Sequence, residues 1–272
     1  MTDSNWVAAL PMYNVTPHVA AGWRELLWEL IRRVSADTGG APLQILSPDD
    51  TDLQAFWSRA DLLLSQTCGY PFTHGLAGTV QLVASPIFDA PGCSNTDYSS
   101  VLVTRRADRR GTLEAYRGSV AAYNGADSHS GMNAFRHAVA PLANAGRFFA
   151  ATVRTGSHLN SLRAVAAGHA DIAAVDCVTL AFARDHLPGL VEPLHTLAYT
   201  EAAAGLPLIT STRTDPGLLE LIRGALDDVL SARRALARRL RLLGFVALPA
   251  SAYGGIVEME QAAMAAGYPK LA

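Results

Sequence analysis

Ser119-Val-Ala-Ala-Tyr-Asn-Gly-Ala-Asp-Ser-His-Ser-Gly131, running on into Met132-Asn-Ala-Phe-Arg136, is the stretch on which the reading of this sequence turns. Val120, Ala121 and Ala122 have the small apolar character of a buried strand. Asn124, Gly125 and Asp127 break that strand, and Ser128-His129-Ser130-Gly131 opens a helix. A strand, a loop of small residues and a helix start are the parts of an anion site. The first backbone N–H groups of a helix lack internal partners, and the helix dipole adds partial positive charge there. Ser128 and Ser130 add hydroxyls, and Gly131 leaves the backbone open to close approach. The same residues also satisfy an ordinary helix cap, so the rest of the chain has to decide between the two readings.

The chain has 272 residues, half of them hydrophobic and 17% charged, which is the composition of a well-cored α/β protein. A net charge of −2 gives no support to a nucleic-acid partner or an anionic membrane surface, so any anion site must be local. No apolar run reaches the eighteen or so residues needed to span a bilayer. The segment Met1-Thr-Asp-Ser-Asn-Trp-Val-Ala-Ala-Leu-Pro11 has no basic start and too short an apolar run for a secretory signal. As written the sequence reads as cytoplasmic, and as periplasmic if it is a trimmed mature form. Cys68, Cys93 and Cys177 show no metal spacing. Cys68 and Cys93 each sit in a glycine-containing turn after a strand and are expected as neighbours, disulfide-bonded in an oxidising compartment and free thiols in a reducing one.

In chain order, Ala8–Tyr13 reads as a first strand. A helix follows, in which Trp23, Leu26, Leu27, Leu30, Ile31 and Val34 recur at helical spacing before Gly39-Gly40 stops it. Leu43–Leu46 is a strand, Asp50–Arg59 a helix with Leu53, Phe56 and Trp57 inward, and Asp61–Ser65 a strand buried on both faces. Strands at Thr79–Phe88 and Ser99–Arg105 then follow back to back, marking passage into a second lobe. There β/α alternation resumes with Ser119–Tyr123, a helix from Ser130 to Leu142, Phe148–Arg154, a helix from Leu159 to Ala167, and Asp171–Val175. His195–Thr200 is the return crossing and Leu206–Thr210 a strand back in the first lobe. Two helices close the chain, one lined by Leu218 to Leu230 and one by Leu236, Leu240, Leu242, Leu243 and Phe245. Arg233, Arg234, Arg238, Arg239 and Arg241 alternate with those leucines as a solvated face rather than a nucleic-acid contact. The expected division is residues 1–100 with 201–272 as one lobe and 101–200 as the other.

Three loops of the second lobe carry groups suited to an anion: Ser128-His129-Ser130, then Thr155-Gly156-Ser157-His158, then Asp176 after its strand. In a parallel sheet these strand ends share one edge. Tyr13, Gln66, Thr67 and Tyr70, with Tyr98 at the crossing, are what the other lobe offers. Hydroxyl and backbone donors bind an anion by directional hydrogen bonds worth about 1.5–3 kcal/mol each when charge-assisted. Asp176 suits a ligand that also donates, because a carboxylate repels a fully ionised group; alternatively it caps the helix beside Cys177. His158 is either a ligand donor or a second helix-start residue. There is no Gly-x-Ser-x-Gly elbow, Walker loop, dinucleotide fingerprint or zinc spacing, so no cofactor or metal is expected.

At these residues the sequence resembles the substrate-binding proteins of phosphate/phosphite/phosphonate ABC transporters, the PhnD-like group of the type II periplasmic-binding-protein fold. The resemblance rests on Leu63-Leu-Ser-Gln-Thr-Cys-Gly-Tyr70, Asp97-Tyr-Ser-Ser-Val-Leu-Val103, Ala122-Tyr-Asn124 with Ser128-His-Ser-Gly131, Thr155-Gly-Ser-His158 with Ser161-Leu162, and Val165-Ala-Ala-Gly-His-Ala-Asp171 running into Asp176. It implies two α/β lobes, each a mostly parallel sheet flanked by helices and joined by two crossing strands. A small phosphorus oxyanion would be clamped between them by hinge closure, without catalysis. It also implies ligand contacts from Ser128, His129, Ser130, His158 and Asp176, with Tyr13 and Tyr98 contributing, and an ABC-transporter permease as partner. His129 departs from the family pattern, which has Thr between the two serines. The alternative is an enzyme on the same fold, a lyase or dehydratase acting on a small carboxylate or phosphate ester, with His129, His158 and Asp176 as its acid/base groups.

Overall fold

The computed structural model describes residues 6–35, 42–47 and 52–272. In chain order the elements are β1 (Trp6–Ala9), α1 (Pro17–Val34), β2 (Leu43–Ile45), α2 (Leu53–Trp57), β3 (Leu62–Gln66), α3 (Gly69–Pro71) and β4 (Val80–Phe88). Next come β5 (Cys93–Ser94), β6 (Asp97–Tyr98), β7 (Ser100–Arg105), β8 (Val120–Tyr123), α4 (Ala134–Val139), β9 (Ala151–Arg154), α5 (His158–Ala166), β10 (Ile172–Asp176), α6 (Cys177–His186), α7 (Pro188–Val191), β11 (Leu194–Tyr199) and β12 (Ala203–Ala204). The last are β13 (Leu208–Ser211), α8 (Pro216–Ala232), α9 (Arg234–Arg239), β14 (Leu242–Val246) and α10 (Gly254–Ala265). None of these helices is long and apolar enough to cross a membrane.

The chain divides into two compact units, Met1–Asp89 with Gly205–Ala252, and Ala90–Ala204 with Tyr253–Ala272. It therefore passes between units at Ala90 and Gly205, and a third time at Tyr253. The last passage differs from the expected division, which leaves residues 201–272 in the first lobe.

The first unit is built on a six-stranded sheet in the order β14-β4-β13-β3-β1-β2. β1 runs parallel to β2 and β3, whereas β13 runs antiparallel to both β3 and β4. All five residues of β3 are buried, as a strand covered on both faces must be. α1 starts where Thr16 accepts a hydrogen bond from the Val19 N–H and Pro17 supplies a fixed first-turn φ. Its inward face is the stripe of Trp23, Leu26, Leu27, Leu30, Ile31 and Val34. Gly39 and Gly40, the expected stop, and Asp50, the expected start of the second helix, lie outside the described residues; α1 ends with Ser35 at its C-cap.

Three expectations are corrected in this unit. β1 covers Trp6–Ala9 rather than extending to Tyr13, because Pro11 has no N–H for the ladder and Tyr13 adopts a left-handed φ of 64°. The last leucine-rich stretch is not one helix. α9 stops at Arg239, Arg241 turns with a φ of 53°, and Leu242–Val246 pairs antiparallel with β4. Arg233 and Arg239 are also more than a solvated face, since both pair with Glu25 of α1 and Arg233 reaches Glu29 at 2.9 Å.

The second unit has a five-stranded sheet, β11-β7-β10-β8-β9, and a small antiparallel one, β12-β6-β5. β8, β9 and β10 are mutually parallel, and β7 is antiparallel to β10 and β11. Asp171 fixes one end of this sheet by accepting from the Val120 N–H at 2.9 Å and pairing with Arg105 at 3.0 Å and Arg110 at 3.2 Å. The core joins Leu102, Tyr116, Phe135, Phe148, Phe149 and Ile172 to Ala263, Tyr268 and Leu271. The final residues thus complete this core. The cysteine expectation is corrected as well: the thiol facing Cys93 is that of Cys177, 3.5 Å away, and all three cysteines are free.

Tyr268 is fully buried, and its hydroxyl donates to the Ala272 carbonyl. Tyr268→Ala is expected to cost about 3–5 kcal/mol in urea unfolding, the range for a large aromatic removed from a core. The exposed control Met264→Ala on α10 should stay within about 0.5 kcal/mol of the parent. Equal behaviour of the two variants would refute the packing of residues 253–272 into this core.

Candidate functional site

The carboxyl ends of β9, β8 and β10 lie side by side because the three strands are parallel neighbours. Each leads straight into a helical start. After β8, Ser128 caps a wide helical turn over His129–Asn133, in which the Asn133 N–H reaches back five residues to the Ser128 carbonyl. Such π-type turns recur at functional sites. After β9, Thr155-Gly156-Ser157 leads to α5, with Gly156 at a φ of 84° that favours glycine. After β10, Asp176 begins α6 directly.

All three starts are capped by their own side chains. Ser128 Oγ accepts from the Gly131 N–H at 3.0 Å, Ser157 Oγ from the Asn160 N–H at 3.2 Å, and Asp176 Oδ1 from the N–H groups of Val178 and Thr179 at 2.8 and 3.1 Å. The capping reading of Ser128 and Asp176 is therefore realised, and it leaves the hydroxyl hydrogen of Ser128 available to a ligand. The Thr155 hydroxyl lies within bonding reach of the Tyr123 and Ser157 carbonyls and of Ser161 Oγ, so it serves its own loop.

The first two loops are joined. Thr155 and Gly156 donate backbone N–H groups to the carbonyls of Tyr123 and Asn124 at 2.9 Å. Ser130 Oγ and His158 Nε2 share a hydrogen bond at 2.9 Å, and Ser100 Oγ donates to the Ser130 carbonyl at 2.8 Å. Ser100 is also the register partner of Asp176, which brings the third loop to the same place. A Cβ at Gly131 would fall 1.8 Å from Asn124 Oδ1 and 3.2 Å from His158 Cε1, so a larger residue there would displace the Asn124 side chain.

His129 points into a fixed network. Asn133 Oδ1 accepts from Arg136 at 2.7 Å, which orients the amide; its nitrogen donates to the Ile256 carbonyl at 2.9 Å and meets His129 Nδ1 at 3.2 Å. An amide nitrogen only donates, so Nδ1 is the acceptor and His129 is the neutral tautomer protonated at Nε2. Arg136, almost fully buried, is held in turn by Glu260 at 3.0 Å and the Pro269 carbonyl at 2.8 Å. Burial, with a smaller contribution from His137, lowers the His129 pKa to about 4. Burial lowers His158 to about 4 too, against the pull of the Ala174 carbonyl. Neither ring brings positive charge to the loops at neutral pH.

Tyr98, expected from the first lobe, belongs to the second unit, with its ring 6.0 Å from that of His129. Tyr13, Gln66 and Thr67 belong to the first unit, at the carboxyl ends of the parallel strands β1 and β3. The Tyr13 ring rests edge-on against Phe88 at 5.2 Å. Gln66 Oε1 is buried without a hydrogen-bond partner, and the Thr67 N–H donates to the Pro207 carbonyl at 3.1 Å. Sequence reasoning missed Ser100, Asn124 and Asn133. Asn133 stands four residues after His129, a spacing that puts both on one helical face; Ser100 and Asn124 lie within the motifs already singled out. Among the described residues no cluster of three or more His, Cys, Asp or Glu side chains could hold a metal ion.

Compared with known proteins, residues 53–253 match the family model of the periplasmic phosphonate substrate-binding proteins of ABC transporters. The fold is similar to a binding-protein component of an ABC phosphonate transporter from Pseudomonas aeruginosa (14% identity, TM-score 0.79, covering 97% of this chain and 87% of that one). It is similar to PhnD1 from Prochlorococcus marinus in complex with methylphosphonate (12% identity, TM-score 0.79, 96% and 98%). A third similar structure is XAC2383 from Xanthomonas citri bound to ATP (19% identity, TM-score 0.71, 97% and 98%). No curated protein matches the chain at the sequence level.

The two depressed histidines set a pH dependence. Their ordinary pKa of 6.5 applies to the unfolded chain, so between about pH 6.5 and pH 4 the unfolded state binds protons that the folded state refuses. Stability should fall as pH drops through that window and level off below it, each ring contributing roughly 3 kcal/mol at most. Thermal midpoints measured across the window should show a shallower slope in His129→Gln and in His158→Gln. An unchanged slope in both variants would mean that the rings are not buried as neutral groups.

Proposed function

The chain belongs to the family of periplasmic phosphonate substrate-binding proteins of ABC transporters, and from that premise we propose that its ligand is a small phosphorus oxyanion: a phosphonate, phosphate or phosphite. Members of this family bind ligands and carry out no chemistry on them, and this chain is a binding protein rather than a lyase or dehydratase. The observation that carries the ligand class is the hydrogen bond between Ser130 and His158 at 2.9 Å, which joins two helix starts into one polar group without a formal positive charge.

In this reading the phosphoryl oxygens take hydrogen bonds from the backbone N–H groups of the Ser128-His129-Ser130 turn and from the Ser128 and Ser130 hydroxyls, while the neutral His158 ring donates its Nε2–H to Ser130 Oγ and so aims that hydroxyl at the ligand. The Asp176 carboxylate selects a ligand with a proton to give, a protonated phosphoryl oxygen or an amine. Tyr98, beside His129, faces the substituent on phosphorus. Thr155 and Ser157 shape the second loop. A small ligand handed to the permease of an ABC transporter in the periplasm is the setting that the family supplies.

The test is a thermal-shift and calorimetric screen against methylphosphonate, 2-aminoethylphosphonate, phosphate, phosphite, sulfate and small carboxylates. A phosphorus oxyanion should raise the unfolding midpoint by mass action. Ser130→Ala and Asp176→Asn should each weaken binding about 10- to 100-fold, the loss of one charge-assisted hydrogen bond. Asparagine caps a helix as well as aspartate does, so Asp176→Asn isolates the charge from the cap. Stabilisation by carboxylates alone, or full affinity in Ser130→Ala, would overturn the assignment.

A further inference from the structure

Cys93 and Cys177 stand 84 positions apart in the chain, yet their sulfurs face each other at 3.5 Å within the second unit. Gly92, next to Cys93, and Cys177 itself are both bonded to the backbone of Ser99. The Ser99 N–H donates to the Gly92 carbonyl at 2.9 Å, and the Cys177 N–H donates to the Ser99 carbonyl at 3.3 Å. Gly92 makes the approach possible: a Cβ there would lie 2.9 Å from the Cys177 Cβ and 2.9 Å from the Tyr199 ring, and its φ of 102° favours glycine as well. Bringing the sulfurs to a covalent distance near 2.05 Å needs about 1.5 Å of approach. The third cysteine, Cys68, belongs to the other unit.

We propose that Cys93 and Cys177 form a reversible disulfide when the protein meets a thiol–disulfide oxidant, stapling the segment that enters the second unit to the first residue of α6. The chemistry is two exchanges. The half-buried Cys93, as thiolate, attacks a small disulfide RSSR, giving a Cys93–S–S–R mixed disulfide and one RS⁻, which takes up the proton that Cys93 lost. Cys177 then gives up its proton and attacks the Cys93 sulfur, releasing the second RS⁻, which is protonated in turn. Two cysteine thiols become one cystine, and one RSSR becomes two RSH. The order follows from environment. The opposing Cys93 thiol, burial and the Asp176 carboxylate all hold the Cys177 thiol far above its ordinary range, so Cys93 is the entry point.

The staple closes a ring of chain that contains the Ser128–Ser130 and Thr155–His158 loops and ends one residue after Asp176. All three helix starts are thereby tied into one covalent loop. Its formation is independent of which ligand the protein binds, so its test stands apart from the ligand screen.

The reduced full-length chain is desalted and incubated with oxidised glutathione, and free thiols are counted after denaturation. The count should fall from three to one, with a loss of about 2 Da in intact mass and a Cys93–Cys177 cross-link in the peptide map. The thermal midpoint should rise on the order of 10 °C and return on adding dithiothreitol. In Cys68→Ser the count should fall from two to none. Three thiols surviving in the parent, stable glutathione adducts on Cys93 or Cys177, or a cross-link that includes Cys68 would each overturn the proposal.

Discussion

A parallel strand cannot turn back on its neighbour through a tight hairpin; it needs a crossover, and here the crossovers are helices. That one constraint organises the second unit. β8, β9 and β10 all end at the same edge of the sheet and all end in a helical start, so backbone N–H groups that find no partner inside their own helices gather within a few residues of one another. Ser128, Ser157 and Asp176 are the residues that each start requires as a cap, and Ser130, His158 and Ser100 link the starts laterally. The edge offers few positions and each must first answer a backbone demand, so under the proposed function the residues that meet the ligand are those that already cap and join the helix starts.

The electrostatics of this edge depend on water exclusion rather than on cations. Desolvation makes the imidazolium form of His129 and His158 costly, and the Asn133 amide, oriented by Arg136, leaves His129 one protonation pattern. The chain of Glu260, Arg136, Asn133 and His129 runs from α10 into the loop. A neutral donor set of this kind discriminates by geometry and by the protonation state of the ligand, where a lysine or arginine would attract any anion alike.

The parts of this arrangement that are legible in the sequence are those fixed by local rules. Strand, small-residue loop and capping residue follow one another within about ten positions, so the Ser128, Ser157 and Asp176 starts can be placed from the residues alone. The stripe of α1 is legible for the same reason. What stays hidden is decided by distant partners. Leu236, Leu240 and Leu243 keep a helical spacing, yet Leu242–Val246 is a strand because the edge of β4 is free to pair with it. Arg241 turns the chain in a conformation that arginine does not advertise. α10 has a thin buried face of Ile256, Met259 and Ala263, too weak a pattern to stand out. Tyr98 reads as part of the wrong unit, and Cys93 as the partner of the wrong thiol, because both are placed by pairing across the small sheet and the head of α6.

The third passage of the chain has a consequence for the order in which the molecule can be made. The first unit lacks β13, α8 and β14 until residues 205–252 have been synthesised, and the second lacks Tyr268 and Leu271 from its core until residues 253–272 have followed. Each unit therefore closes only once a segment distant in the chain has been made. Until then the apolar faces that those segments cover stay open to water and to unwanted pairing, the ordinary hazard of a domain built from pieces far apart in the chain.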